Sequence, residues 1–370
     1  METLVNSPIA TEFDPHTLPF TPSDPLLNSV GINHLAMIRI MYDRCPEFAR
    51  AVQKSKVQNI KATEISESRG FLSHILLVCI QFVDPTQPDF SFVIKVPQSE
   101  TYDEIVDSYN GSSGSSSSGS VESESPSTAS SESSICSTHN NECDFYELFE
   151  SAHFSLALPQ IYYTRRNLAN NKGGMIFMEN LSNRGSCVDV FSSLTPQQCR
   201  NVTKEVALFQ AHFDFMAKEQ QDIVASDECV HTAAHKQQFL DDFLSKIGSF
   251  GQEFTDLLEK LHRFANTKFA KYALIDRPQK EGISTLVHGD TWTNNVLFVK
   301  GQDGELTDEL CSVIDWQTAF QGNPLFDLSF LLVSSTNADV RREISEEVVD
   351  LYFEHSFTTL QTKQQRIKVD

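Results

Sequence analysis

Apolar and polar positions along the chain follow one period in its first half and another in its second. VQNIKATEIS (57–66), FLSHILLVCIQFV (71–83) and DFSFVIKV (89–96) are rich in β-branched and aromatic residues, and the last two are joined through the Pro/Asp cluster DPTQPD. They predict a small antiparallel sheet. In CDFYELFESAHF (143–154) the spacing becomes helical, with Phe145, Leu148, Phe149 and Ala152 on one side, and two short strand-like runs follow, QIYYT and GMIFMENL. Past Asn183 the pattern is helical. TPQQCRNVTKEVALFQAHFDFMAK predicts a helix with Thr195 as N-cap, Pro196 as its first residue and Val202, Val206, Phe209 and Phe213 on one face. Further helices are predicted across Phe254–Tyr272 and Ile344–Leu360. A β-rich first half with one helix, followed by an α-rich second half, is an α+β plan in two lobes.

One segment interrupts this pattern. Ser108 to Ser134 holds fifteen serines in 27 residues, with Gly, Glu and Pro and almost nothing apolar. Such a stretch cannot repay its ordering entropy, so it is expected to be disordered, an insertion between two elements rather than a regulatory site. It also carries much of the charge. The 370 residues have a formal net charge of −21, yet Glu100 to Glu150 contributes eleven acids and Lys95 to Arg165 encloses no Lys or Arg. The rest of the chain is only mildly acidic. The acidic balance argues against non-specific binding to nucleic acid or to an anionic membrane, both of which need an excess of Lys and Arg. Eight cysteines without a CxxC pair speak for reduced thiols rather than a zinc or redox motif. The N-terminus has no basic or apolar leader, and the best apolar run, 71–83, is too short to span a bilayer, so a cytoplasmic protein is expected.

The candidate chemistry lies between Leu286 and Val333. LVHGDTWTNNVLF sets a polar loop between two apolar, strand-like flanks, and LCSVIDWQTAFQGNPLFDLSFLLV repeats the arrangement with Asp315 after a strand and Asp327 at the start of an apolar helix. Phosphoryl transfer from a nucleotide needs a carboxylate to take the proton of the attacking hydroxyl and hard oxygen ligands for Mg²⁺. Asp290, Asn295 and Asp315 are of those types, and His288, Asp290 and Asn295 have the H-x-D-x-x-x-x-N spacing of a kinase catalytic loop.

HGDTWTNN followed by IDWQTAFQGNPLFDLS resembles the aminoglycoside phosphotransferase and choline kinase superfamily, and within it the ecdysteroid-kinase-like, or CHK kinase-like, family. The W-x-N-N end of the first motif and the I-D-W-Q start of the second carry that branch. The resemblance covers roughly Ile60 to Phe357. It implies a bilobal protein-kinase-like fold: an N-terminal extension (1–30), a β-rich N-lobe (31–178) that holds the serine-rich insertion (108–134), a hinge (179–182) and a mostly α-helical C-lobe (183–370). It implies ATP and Mg²⁺, with Asp290 as catalytic base, Asn295 and Asp315 as metal ligands, and His288 and Asp327 as structural residues. Lys95 in FVIKVP is the implied phosphate-binding lysine, Glu142 its ion-pair partner, and the backbone of Met178, Glu179 and Asn180 the implied adenine contact.

Three departures from that family pattern stand out. The phosphate-covering turn SESRGFLS keeps one glycine, Gly70, where flexible glycines let backbone N–H groups approach phosphate. The serine-rich segment separates Lys95 from Glu142, a loop whose closure costs only ~1 kcal/mol because the cost grows as the logarithm of length. The chain ends at Asp370, where related proteins continue for several more helices, so the substrate-side wall is expected to be incomplete or the chain a shortened form. Only eleven residues separate Asp315 from Asp327, which leaves no room for a peptide platform. The expected partner is therefore a small-molecule alcohol of choline, aminoglycoside or ecdysteroid type, with no protein partner evident. The alternative is a catalytically weak or inactive binding or scaffold protein on the same fold.

Overall fold

The computed structural model describes residues 25–27, 30–65, 73–97, 127–151, 155–167, 173–222 and 237–367. Two compact units are present, Met1–Cys143 with Pro159–Asn180, and Asp144–Leu158 with Leu181–Asp370.

In the first unit, β1 (Pro25–Leu27) and β2 (Val30–Asn33) pair antiparallel and lead into α1 (His34–Arg44) and α2 (Pro46–Lys54). Asn33 caps α1 by accepting from the Ala36 N–H at 2.8 Å, and Pro46 opens α2, where its missing N–H costs nothing. The sheet contains β3 (Val57–Glu64), β4 (Ser73–Phe82), β5 (Phe90–Pro97), β6 (Ile161–Arg165) and β7 (Met175–Glu179), all antiparallel, in the order β3-β4-β5-β7-β6. Side chains alternate between its faces. Leu76, Val78, Ile80, Phe92, Ile94 and Phe177 point to one face, where Met37, Ile38 and Met41 of α1 and Phe48 of α2 complete a buried core. Lys95 follows Ile94 and so belongs to the other face.

The long helix α3 (Ser127–Ser151) supplies residues to both units. It begins inside the stretch expected to be disordered, whose remainder, 108–126, lies outside the described residues. Helix propagation from a packed C-terminal half explains the extension, since adding a residue to a formed helix is cheap once nucleation is complete. Residues 144–158, expected with the strands, group with the second unit. Phe145 stacks on Trp316 with centroids 3.8 Å apart, and Phe149 meets Phe209 edge-on. The following link is held by hydrogen bonds as well. The Ala157 N–H donates to Glu205 Oε1 (2.6 Å), and the Ala157 carbonyl accepts from the Val313 N–H (2.7 Å).

The second unit contains the short strand β8 (Gly185–Cys187), then α4 (Pro196–Asp214), α5 (Lys218–Gln221), α6 (Gln237–Gly248), α7 (Gln252–Leu261), α8 (Thr267–Lys271) and α9 (Arg277–Glu281). After them come β9 (Thr285–Val287), β10 (Val296–Lys300), β11 (Leu306–Val313), β12 (Phe320–Gly322), α10 (Phe326–Ser335) and α11 (Ala338–Ile367). The expected face of α4 is buried throughout, with Val202, Val206, Phe209 and Phe213 all in the core. Val202 and Val206 pack with Leu328 and Leu331 of α10 and with Ile344 and Val348 of α11. The single helix expected across 254–272 is two helices. His262 to Asn266 break it, because Asn266 accepts the Phe269 N–H (2.9 Å) and caps a new helix. No helix among the described residues is long and apolar enough to cross a membrane.

Thr195 and Gln198 form a reciprocal capping box at the start of α4, and the Thr195 hydroxyl also donates to Asp308 Oδ1 (2.7 Å). Thr195→Ala is expected to lower the unfolding free energy by about 1–2 kcal/mol, read as a fall in the urea midpoint, while Thr195→Ser retains most of the stability.

Candidate active site

In the first unit, Lys95 sits on β5 between Ile75 of β4 and Ile176 of β7. Its Nζ is 2.6 Å from Glu142 Oε2 on α3, with the two side chains 7% and 1% exposed. Desolvating both charges costs several kcal/mol, which their attraction only roughly offsets, so stability alone gives little reason to keep such a pair. His139 lies one turn before Cys143 on α3. Its Nε2–H donates to the Arg165 carbonyl (3.0 Å), and burial pulls its pKa down to about 4, with the positive charge of Lys95 acting in the same direction. It is therefore neutral at physiological pH.

Met178 is paired on both sides, with Val93 and Ile161, and Glu179 closes β7. The Glu179 N–H donates to the Gln160 carbonyl (2.8 Å), and Asn180 Nδ2 donates to Ser91 Oγ (2.9 Å). Of the backbone expected to meet adenine, the Glu179 N–H is thus already engaged within the sheet. Gly70 and its turn lie outside the described residues.

In the second unit, the structure brings His288, Asp290, Asn295, Asp315 and Asp327 together. The loop that bears Asp290 and Asn295 runs from β9 to β10, and β9 is fixed by its antiparallel pairing with β12, Val287 opposite Phe320. Asp327, 2% exposed at the start of α10, accepts the His288 N–H at Oδ2 (2.8 Å) and the Gly289 N–H at Oδ1 (3.0 Å). Gly289 has φ +87°, and a Cβ there would fall 2.5 Å from the Thr318 carbonyl oxygen, so only glycine fits the turn. His288 Nε2–H donates to the Ile314 carbonyl (2.9 Å), while Nδ1 accepts the Asp290 N–H (3.2 Å). Both ring nitrogens are used to hold the backbone, which assigns the neutral tautomer.

Asn295 Nδ2 donates to the Asp290 backbone carbonyl and to its Oδ2, both at 2.9 Å. This orients the Asp290 carboxylate and leaves the Asn295 amide oxygen as the end able to take a cation. Burial raises the Asp290 pKa above the ordinary carboxylate value; the Asp315 charge adds to the rise, and the Asn295 hydrogen bond opposes it. Asp315 has φ 67° and ψ 59°, and among the described residues it is the one non-glycine with positive φ. A left-handed Asp costs about 1 kcal/mol and persists only where its surroundings hold it. The Val313 N–H on the Ala157 carbonyl, the Ile314 N–H on the Asn295 carbonyl (3.0 Å) and the buried Trp316 after it provide that hold.

Among the described residues no group of three or more His, Cys, Asp or Glu gathers as a metal site. The oxygens that fit a hard divalent cation such as Mg²⁺ are a carboxylate and an amide, from Asp315 and Asn295. Several supporting residues were not legible as such in the sequence. Thr318 Oγ1 donates to the His288 carbonyl (3.0 Å), Ser335 Oγ accepts the Thr293 N–H (3.0 Å), and Glu205 anchors Ala157. Their only sequence signal is a polar residue within an otherwise apolar stretch, which is too common to single them out.

The model of the family DUF1679, described as "Uncharacterized oxidoreductase dhs-27", matches residues 52–367. The chain belongs to this family, the ecdysteroid-kinase-like family. A relative, the uncharacterized oxidoreductase dhs-27 of Caenorhabditis elegans, is 20% identical over 308 residues, which is 82% of this chain and 35% of that protein. The chain thus spans about a third of the length of the curated relative it matches. Similar solved structures include the GDP and kanamycin complex of APH(2")-IIia (13% identity, 90% of this chain and 94% of that one, TM-score 0.42). Another is choline kinase from Cryptosporidium parvum (10% identity, 88% and 80%, TM-score 0.47).

Two outcomes follow from this geometry. A neutral buried His139 with its pKa near 4 takes up a proton in the unfolded chain from about pH 6.5 downward but not in the folded one, so the folded state loses stability as pH falls between those values. At pH 5 the loss is on the order of 2 kcal/mol, and His139→Gln should flatten that part of the urea-derived stability profile. Asp327→Asn presents an NH₂ to one of the two N–H donors and should cost about 1–3 kcal/mol in the same measurement.

Proposed function

We propose that the protein transfers the γ-phosphoryl group of ATP to a hydroxyl of a small molecule. The observation that carries this reading is the arrangement of Asp290 and Asn295 on one turn, with Asp290 oriented by the Asn295 amide, tied to the separate turn of Asp315 by the Ile314 N–H on the Asn295 carbonyl. Asp290 accepts the proton of the acceptor hydroxyl as its oxygen bonds to phosphorus and ADP leaves. Its raised pKa suits a base, since a carboxylate closer to neutrality holds the proton better. Asn295 and Asp315 hold Mg²⁺, which when bound neutralises charge on the phosphates. Lys95, fixed by Glu142, meets the phosphates, and the backbone from Met178 to Asn180 receives the base, with the Glu179 N–H excluded from that role. His288 and Asp327 act on the backbone alone.

A small acceptor is favoured because the eleven residues between Asp315 and Asp327 are fully used in the fold. Trp316 and Ala319 are buried, and Phe320 to Gly322 pair with β9, which leaves no segment to present a peptide. Choline-, aminoglycoside- and ecdysteroid-like alcohols are the acceptor classes that remain. The oxidoreductase name of the Caenorhabditis elegans relative belongs to a chain of which this one spans 35%. A lysine–glutamate pair with an Asp/Asn/Asp oxygen set is the equipment of phosphoryl transfer rather than hydride transfer.

The test is ATP turnover and acceptor phosphorylation, screened over small alcohols, for wild type and Asp290→Asn. Loss of a general base should lower kcat about 10²–10⁴-fold with folding intact. In wild type, kcat/KM, which reports the free enzyme, should rise with pH through a midpoint above the ordinary carboxylate value, because the base works only when ionised. Equal rates for the two proteins would overturn the assignment of Asp290. A wild type that neither turns over nor is thermally stabilised by ATP with Mg²⁺ would favour a non-catalytic binding protein instead.

A further inference from the structure

Phe250, Phe254, Leu257, Leu261 and Phe264 follow one another at alternating steps of four and three residues, the spacing of a coiled-coil seam. The middle three belong to α7, none of whose residues is buried. Phe250 is 71% exposed, Phe254 36%, Leu257 and Leu261 53% each, and Phe264 42%. The neighbouring side of the helix is occupied. Thr255 Oγ1 donates to the Gly248 carbonyl (3.3 Å), and Leu258 Cδ1 lies 3.4 Å from where a Cβ on Gly248 would stand, so α7 rests there on the end of α6. The seam is the part of α7 left open.

Its pattern is close to a palindrome about Leu257. Phe250 and Phe264 are equally far from it, Phe254 and Leu261 nearly so, and on one flank of the seam the exposed Glu253 and Lys260 stand one heptad apart with opposite charge. Such an order is self-complementary under a twofold axis, where residue i meets j and j meets i. Two copies of α7 laid antiparallel would set Leu257 on its copy, Phe254 beside Leu261, Phe250 beside Phe264 and Glu253 opposite Lys260, the unlike contacts each made twice. A parallel pair would instead place Glu253 and Lys260 beside Leu258 and Ala265, with no counter-charge.

We propose that this seam is a homodimer interface, in which α7 pairs antiparallel with α7 of a second copy of the chain. The area is of the right size. The five seam side chains leave on the order of 500 Å² of apolar surface open, which matches the apolar share of the ~800 Å² per partner in a standard interface. Charge also favours a copy over another occupant. Around the seam Glu253, Asp256 and Glu259 balance Lys260, Arg263 and Lys268, so no excess steers an acidic or a basic partner to it, whereas the order of acid before base suits its own reversal. The inference stands independently of the phosphotransfer reading.

The test is light scattering and sedimentation of the full chain over a concentration series, with circular dichroism and melting to check folding. Wild type should reach a mass near twice 41.6 kDa. Leu257→Glu, which sets two like charges on the axis, should leave a monomer. Lys260→Glu should weaken the dimer about tenfold by setting acid against acid at both ends of the seam. Adding Glu253→Lys to Lys260→Glu should restore the wild-type affinity, a rescue that only the antiparallel pairing provides. All three side chains are exposed, so the variants should melt as the wild-type monomer does. A wild type that stays monomeric at ~100 μM, a dimer that Leu257→Glu leaves intact, or a double reversal that dissociates as readily as Lys260→Glu alone would each overturn the proposal.

Discussion

The carboxylate of Asp327 is the constraint on which the loop bearing Asp290 and Asn295 depends. Its two oxygens receive the N–H groups of His288 and Gly289, two donors that no strand or helix ladder satisfies. Left buried and unpaired, each would cost about 1–3 kcal/mol, so the loop takes its shape from where α10 begins. Once His288 is fixed, its ring spans the Asp290 N–H and the Ile314 carbonyl. The turn bearing Asp290 is thereby tied to the turn bearing Asp315. The left-handed Asp315 and the close approach of Gly289 to Thr318 are tolerated because these bonds over-determine the backbone.

The first unit concentrates its cost in a buried ion pair. Lys95 and Glu142 are almost wholly removed from water, and an apolar pair of similar size would stabilise the sheet at least as well. Retaining the charges makes sense where one of them is needed for a charged ligand. Lys95 lies on the sheet face opposite the Met37, Ile38 and Phe48 core, so it is held in place by a partner rather than by the packing that stabilises the unit. Neutral His139, on the helix that bears Glu142, avoids placing a second positive charge near Lys95.

Charge along this chain is a local property. The acids between Glu100 and Glu150 account for most of the net value, whereas Lys260 to Tyr272 contains none. Apolar residues are distributed as unevenly. α4 buries its apolar face with α10, α11 and β10, while none of the residues of α7 is buried. The same spacing rule produced both helices, and only neighbours within reach distinguish them.

The strands β3 to β7, the cap and face of α4, and the set Asp290, Asn295, Asp315 and Asp327 were legible in the sequence. Each rests on local chemistry: period-two apolar runs, a Thr-Pro start, polar turns between apolar flanks. Helices α1 and α2 carry comparable local signals in Asn33 and Pro46. What no local pattern encodes is which distant groups meet. Whether 254–272 forms one helix or two turned on a cap at Asn266, and the start of α3 at Ser127 depended on packing farther along the helix. The Ala157 bonds to Glu205 and Val313, the stacking of Phe145 on Trp316 and the left-handed Asp315 join residues tens to more than a hundred positions apart. The sequence by itself determined the chemical groups and their order. Tertiary structure decided their orientation and burial, because long-range hydrogen bonds and packing are settled by the whole chain at once.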